Sequence, residues 1–159
     1  MSPDRPYEAL LEHAVDIGAP PAQVWPLVSD VCRMPEWSPQ VVSVRLRPGF
    51  DRVQRGAQFT NLNRLGELEW ATHGEIVRFT EEREVAFRIA ENRVIWSFAL
   101  ESVAPDRTRL TQRRETPDGI SDFSLDLTDT HLGGQAEYTA VLRDSMEQTL
   151  ARIKVAAEA

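Results

Sequence analysis

Apolar and polar residues alternate along most of the chain, and this period of two predicts β-strands. The breaks between the alternating segments are short and carry glycine, proline, asparagine or clustered charges, which is the chemistry of turns. Short connections favour antiparallel neighbours that follow one another in a meander. Seven strands are predicted, over residues 11–17, 41–46, 57–65, 67–79, 84–90, 93–103 and 107–115.

Two short helices are predicted after the first strand, within residues 19–37. Pro20 and Pro21 set the backbone for a helix start, and apolar residues then recur at three- and four-residue spacing up to Val31. Pro26 lies inside this helix, where proline removes a hydrogen bond at a cost of about 3 kcal/mol. We therefore expect an open or kinked first turn. Residues 34–37 predict a second, very short helix.

The C-terminal part, residues 135–157, has the period of a long amphipathic helix. One face is apolar and the other is charged. At 1.5 Å per residue this helix is long enough to cross a whole sheet. The apolar stripe consists of Tyr138, Val141, Leu142, Met146, Leu150 and Ile153.

Residues 116–134 show no clear period and carry four aspartates. A segment of this length without structure of its own is uncommon in a compact domain. Three interpretations stay open: a lid, an extra helical turn, or an edge segment packed on the sheet.

Together these elements predict an α+β fold in which a seven-stranded curved antiparallel sheet wraps around a long C-terminal helix. Two short helices follow the first strand, and a hollow is expected between the sheet and the long helix. The length of 159 residues suits a single domain, 1–159. Residues 1–9 are expected to be a loose terminus.

Four polar residues share the predicted inner face of the sheet with large apolar ones, namely Asn61, Asn63, Gln112 and Arg114. Polar groups buried without partners cost a few kcal/mol each, about 1–3 in proteins. A ligand pocket would supply partners, because such sites combine apolar walls with a few polar groups. The alternative is a register that is wrong by one residue, which would turn all four towards solvent.

The alternation also names the side chains that would line such a pocket. His13 lies on the apolar face of the first strand and could be an acid–base group there, although a satisfied core histidine is the more common case. The expected ligand-binding set is His13, Leu27, Asn61, Asn63, Trp70, Phe87, Trp96, Phe98, Gln112, Arg114, Tyr138, Leu142 and Met146.

Composition excludes several classes of function. A net charge of −7 argues against nucleic acid, whose phosphates require a basic surface. No apolar run is long enough for a transmembrane helix, and the acidic, polar N-terminus does not suit a signal peptide. Cys32 is the only cysteine, which fits a cytoplasmic protein without disulfides. With no histidine near it in sequence, a buried inert thiol is favoured over a nucleophile.

Motifs for cofactors and catalysis are absent from the sequence. The three histidines lack metal-ligand spacing. There is no serine-hydrolase elbow or phosphate-binding loop. We therefore expect neither a metal nor another cofactor.

Several segments carry a resemblance to a known family. Residues 19–37 (APPAQVWPLVSDVCRMPEW) and 55–70 (RGAQFTNLNRLGELEW), together with 94–98 and 108–111, are similar to the START-like helix-grip (SRPBCC) superfamily. The nearest branch is the polyketide cyclase/dehydrase and lipid-transport branch. The resemblance implies a helix-grip fold with a deep cavity. It also implies a hydrophobic ligand that is bound, carried, or converted by ring closure and dehydration.

Three functions follow as hypotheses. The first is binding or transport of a hydrophobic or amphipathic small molecule, lipid-like or polyketide-like, with Arg114 facing an anionic or carbonyl oxygen. The second is an aromatase/cyclase or dehydratase, with His13 as base and Arg114 or Tyr138 as donor to an enolate oxygen. The third is a partner protein that uses its acidic segment as the contact surface. No catalytic residue is assigned.

Overall fold

A computed structural model describes residues 7–159 of the chain. Most of the expected loose terminus, residues 1–6, lies outside the described residues. The remaining three are not loose, because the carbonyl oxygen of Ala9 accepts a hydrogen bond from Thr116 Oγ1 (2.7 Å) and that of Glu8 accepts one from Arg114. The start of the first strand is thereby fixed to the end of the last.

Seven strands form one antiparallel sheet in the order β1-β7-β6-β5-β4-β3-β2. Strands β2 to β7 run as a meander. Strand β1 pairs with β7 and forms the second edge of the sheet, opposite β2. The predicted strands are confirmed, with bounds that differ by at most two residues. The bounds are β1 Leu10–Ile17, β2 Val41–Leu46, β3 Gln58–Leu65, β4 Leu68–Thr80, β5 Glu84–Ile89, β6 Ile95–Ala104 and β7 Arg107–Glu115.

Two short helices connect β1 to β2. Helix α1 covers Pro21–Ser29, a single 3₁₀ turn covers Val31–Arg33, and helix α2 covers Met34–Trp37. The expectation of an open first turn is wrong, because Gln23 N and Val24 N both donate to the carbonyl oxygen of Pro20. Pro26 lies inside α1 without ending it. In a helix this short, its missing N–H removes one internal bond.

The unassigned segment contains a third helix, α3, Asp122–His131. Its N-cap is Ser121, whose hydroxyl accepts a hydrogen bond from Ser124 N. Leu125, Thr128 and Leu132 are buried at three- and four-residue spacing. Of the three interpretations of residues 116–134, the helical one agrees with the structure, and the helix is longer than a single turn.

The long helix α4, Gln135–Glu158, is confirmed. It packs against β1 and β7 at one side of the sheet and against α1, α2 and α3. The main core lies between the concave face of the sheet and these helices, and includes Phe59, Ile76, Phe98, Leu150 and Ile153. None of the helices in residues 7–159 carries an apolar stretch long enough to cross a bilayer.

A glycine on the concave face, Gly74, leaves space for the aromatic ring of Phe59 on the neighbouring strand. A Cβ at Gly74 would lie 2.3 Å from Cζ of Phe59, and the Phe59 ring is held edge-on against Phe87 with ring centroids 5.4 Å apart. The ring thus occupies the space that any other residue at position 74 would need.

We predict that Gly74→Ala lowers the free energy of unfolding by about 1–3 kcal/mol, because an added methyl group overpacks this contact. Chemical denaturation measures the effect. Glu75→Ala, on the opposite face of the same strand, is the control and should stay within about 0.5 kcal/mol. In the Gly74→Ala background, Phe59→Leu should cost less than it does alone. Additive losses would contradict the predicted contact.

Candidate functional site

A cavity of about 160 Å³ lies between the concave face of the sheet and the helices α2, α3 and α4. Strands β3 to β7 supply its floor, and Met34, Ser124 and Met146 are among the side chains that the helices contribute. Helix α3 contributes Ser124 and Thr128 to the cavity wall.

The four polar residues that alternation predicts on the inner face of the sheet are buried on that face. The exposed fraction of the side chains is 7% for Asn61, 9% for Asn63, 4% for Gln112 and 5% for Arg114. All four line the cavity. The register shifted by one residue is thereby excluded.

Two polar side chains at the β2–β4 end of the cavity, Asn63 and Gln40, are hydrogen-bonded within the protein. Asn63 Nδ2 donates to Thr72 Oγ1 (3.0 Å) and to the carbonyl oxygen of Trp70 (3.3 Å). Gln40 Nε2 donates to Ser145 Oγ (3.0 Å), which links the start of β2 to α4. These bonds offset the cost of burial.

Polar groups on β7 are less well satisfied. Gln112 Oε1 and Arg114 Nε are buried and have no hydrogen-bond partner. The Arg114 guanidinium donates a hydrogen bond from Nη2 to the carbonyl oxygen of Glu8, whose own carboxylate pairs with Arg143. Burial lowers the pKa of Arg114, opposed by the nearby Glu8 carboxylate. Arginine nevertheless stays charged at neutral pH.

Tyr138 brings a second donor to the same region. Burial raises the pKa of its phenol to about 12, and the nearby Arg114 only partly opposes this. Its hydroxyl points to Gln40 Oε1 at a long 3.5 Å. At neutral pH Tyr138 is therefore protonated and acts as a donor.

Arg114 is the one fully charged side chain that lines the cavity among residues 7–159. Among the described residues that line it, the titratable ones are Tyr7, Arg114 and Tyr138, and none is a carboxylate, imidazole, thiol or amine. Within residues 7–159 there is also no group of three or more histidine, cysteine, aspartate or glutamate side chains that could hold a metal ion. Arg114 and Tyr138 can donate hydrogen bonds to an oxygen, but no described residue that lines the cavity is a carboxylate or imidazole that could act as a general base.

Ten of the thirteen expected site residues line the cavity, and three do not. His13 belongs to β1, the terminal strand of the sheet, and is exposed to solvent. It is therefore neither a core histidine nor a cavity residue. Leu27 packs against the main core from α1, and Phe98 is buried in that core. The ten that do line the cavity are Asn61, Asn63, Trp70, Phe87, Trp96, Gln112, Arg114, Tyr138, Leu142 and Met146.

Several cavity residues were not expected from the sequence. Tyr7 lines the cavity from the segment assigned to a loose terminus, and its hydroxyl accepts a hydrogen bond from Ile120 N (3.1 Å). Gln40 and Asn92 enter from connections between strands, where alternation gives no signal. Ser124 and Thr128 come from α3, whose N-cap serine and spaced leucines were the available signal.

Other candidate groups lie away from the cavity. Burial and the neighbouring Asp30 carboxylate raise the pKa of the Cys32 thiol, which makes it a poorer nucleophile. His73 lies on the opposite face of β4 and its Nδ1 is 2.6 Å from Glu91 Oε2. Arg113 and Arg114 point to opposite faces as expected, and Arg113 pairs with Glu12 (3.1 Å).

The sequence matches a family described as "Polyketide cyclase / dehydrase and lipid transport" over residues 8–158. No curated protein matches it. Among solved structures, the polyketide-cyclase-like protein Cgl2372 from Corynebacterium glutamicum is 26% identical, with a TM-score of 0.58 and coverage of 96% of this chain and 91% of that one. The ZhuI aromatase/cyclase from Streptomyces sp. R1128 is 17% identical, with a TM-score of 0.69 and coverage of 94% and 93%. At 17% identity, the similarity to the aromatase/cyclase concerns the fold alone.

The high pKa of Tyr138 predicts a specific dependence of stability on alkaline pH. The pKa of Tyr138 is about 12 in the folded state and about 10 in an unfolded chain. The contribution of the protonated phenol to the free energy of unfolding is therefore complete below pH 10. It is lost as the pH rises towards 12. Chemical denaturation between about pH 9 and pH 11.5 should show a steeper loss of stability for the wild type than for Tyr138→Phe. If the stability of the two proteins falls equally steeply with pH, the raised pKa of Tyr138 is contradicted.

Proposed function

The chain belongs to the polyketide cyclase/dehydrase and lipid transport family, and from that premise we propose that it binds a small amphipathic molecule in its cavity without converting it. The ligand's apolar part packs on the cavity walls, and an oxygen at its polar end faces Arg114.

The observation that carries this proposal is the single buried cation without an acid–base partner. Arg114 is 5% exposed, and no described carboxylate, histidine or lysine lines the cavity with it. A guanidinium matches oxygen acceptors and does not exchange its proton at neutral pH. Such a group supports recognition of an oxygen more directly than proton transfer.

The walls supply the apolar part of the binding energy. Trp70, Phe87, Trp96, Leu142 and Met146 line the cavity, and burial of apolar ligand surface contributes about 25 cal/mol per Å². The volume of about 160 Å³ resembles a cavity that takes one aromatic ring. A compact ligand suits this conformation, whereas a long lipid chain or an extended polyketide would need a wider one.

A second candidate, an aromatase/cyclase or dehydratase, is favoured by the convergence of Arg114 and Tyr138. Two donors near one point could stabilise an enolate oxygen during ring closure. The same reaction needs a base to remove a proton from carbon. The expected base, His13, is exposed on the edge strand, and Tyr138 keeps its proton at neutral pH because its pKa is about 12. The binding hypothesis therefore takes precedence.

We predict that freshly purified wild-type protein retains a small molecule in native mass spectrometry, and that Arg114→Met releases it or lowers its affinity by about 10- to 100-fold. This range corresponds to the loss of one charge-assisted hydrogen bond. Arg113→Met is the matched control, because Arg113 lies on the outer face of the same strand, and His13→Ala should also leave binding unchanged.

Two results would contradict the binding proposal. A ligand-free wild type that also fails to bind a hydrophobic dye would remove the basis for any cavity ligand. Incubation that changes the mass of the bound molecule, with loss of the change but not of binding in Tyr138→Phe, would favour catalysis instead.

A further inference from the structure

Gln112 and Arg114 stand two positions apart on β7 and so share the concave face. Their Cα atoms are about 6–7 Å apart along the strand. Their cross-strand neighbours on β6 are Phe98 and Trp96, and both polar side chains line the cavity while remaining at least 95% buried. On β1 their neighbours are His13, which is exposed, and Leu11, which is buried. The pair is thus a polar patch with aromatic residues on its β6 side.

The patch holds one unpartnered donor and one unpartnered acceptor. Arg114 Nε carries an N–H without an acceptor, and Gln112 Oε1 is a carbonyl oxygen without a donor. Most buried polar atoms in native proteins have a partner, so two unpartnered atoms on one wall require an explanation, such as an ordered water or a bound group. Asn63 and Gln40, at the other end of the cavity, have partners inside the protein.

We propose that this patch is a subsite for a hydroxyl group on a compact aromatic ligand, a phenol in chemical class; the proposal rests on the binding function proposed above. A hydroxyl both accepts and donates a hydrogen bond. It therefore accepts from Arg114 and donates to Gln112.

Other polar groups satisfy only half of the patch. A carboxylate, ketone or ether accepts from Arg114 but brings lone pairs towards Gln112 Oε1. An amine or ammonium donates to Gln112 but places a donor or positive charge against the guanidinium. Among the groups that an organic ligand can carry, a neutral hydroxyl is a small one that meets both requirements.

The aromatic part of the proposal comes from the walls around the patch. Trp96 is the cross-strand neighbour of Arg114 on one side and of Phe87 on the other, so two aromatic residues follow Arg114 across the concave face. Both line the cavity, whose volume is about 160 Å³. A single ring packs between such walls in offset or edge-to-face contact.

The test uses four probes of similar size, namely phenol, anisole, toluene and benzoate, with binding followed by calorimetry and by NMR shifts of the Trp96 indole. We expect wild-type protein to bind phenol about 10-fold more tightly than anisole or toluene, and more tightly than benzoate. In Gln112→Met the preference for phenol over anisole should fall to about 1. Gln58→Met, on the opposite face of β3, is the control and should keep the wild-type preference.

The outcomes separate this proposal from the binding function. If anisole, toluene or benzoate binds in the cavity as well as phenol does, the hydroxyl subsite is wrong while the binding function stands. If the preference survives in Gln112→Met, Gln112 does not accept the hydroxyl proton and the proposal is overturned. If none of the probes shifts the Trp96 signal, the hydroxyl subsite is wrong, and the binding function is decided by native mass spectrometry and dye binding as described above. The wild-type probe series decides the first point even if Gln112→Met does not fold.

Discussion

A single helix cannot cover the concave face of a seven-stranded sheet, and the rest of the structure follows from this constraint. Helix α4 has 24 residues and is therefore about 36 Å long, but among the strands it packs mainly on β1 and β7. Helix α1 covers part of β5 and β6, α2 lies against β2, and α3 packs on α4. Because these helices are short, a cavity remains between them and the sheet.

The period-two geometry of strands then decides what the cavity contains. On β7 neighbouring arginines face opposite sides: Arg113 pairs with Glu12 at the surface, whereas Arg114 is buried and donates a hydrogen bond to the backbone carbonyl of Glu8. Strand geometry thus places a charge in the interior. That placement disfavours stability, since a buried cation loses hydration. We interpret Arg114 as a residue kept for recognition rather than for folding.

The sequence predicted the sheet and its inner face well, because alternation is a local property of each strand. Asn61 and Gln112 are buried on the predicted face. Alternation could not predict how far along that face the cavity extends, since this depends on where the helices cross the sheet. His13 and Phe98 show the two errors that result: one lies beyond the covered area and the other lies in the filled core.

The residues that sequence reasoning missed entered the cavity from outside the strands. Tyr7 precedes β1 and Gln40 precedes β2, so neither belongs to a periodic segment. Helix α3 was obscured by its aspartates, although Ser121 as an N-cap and the spacing of Leu125 and Leu132 were visible. Irregular segments take their position from tertiary contacts, such as the hydrogen bond from Ile120 N to the Tyr7 hydroxyl, and these contacts join residues far apart in sequence.

The distribution of hydrogen bonds divides the cavity into two functional ends. At the β2–β4 end the amides of Gln40 and Asn63 connect elements of the protein to one another, so their polarity serves the fold. At the β7 end Gln112 Oε1 and Arg114 Nε have no partner inside the protein. Because both ends share the same apolar walls, polarity alone does not distinguish them. The unpartnered atoms do, and under the function that we propose they assign recognition to β7.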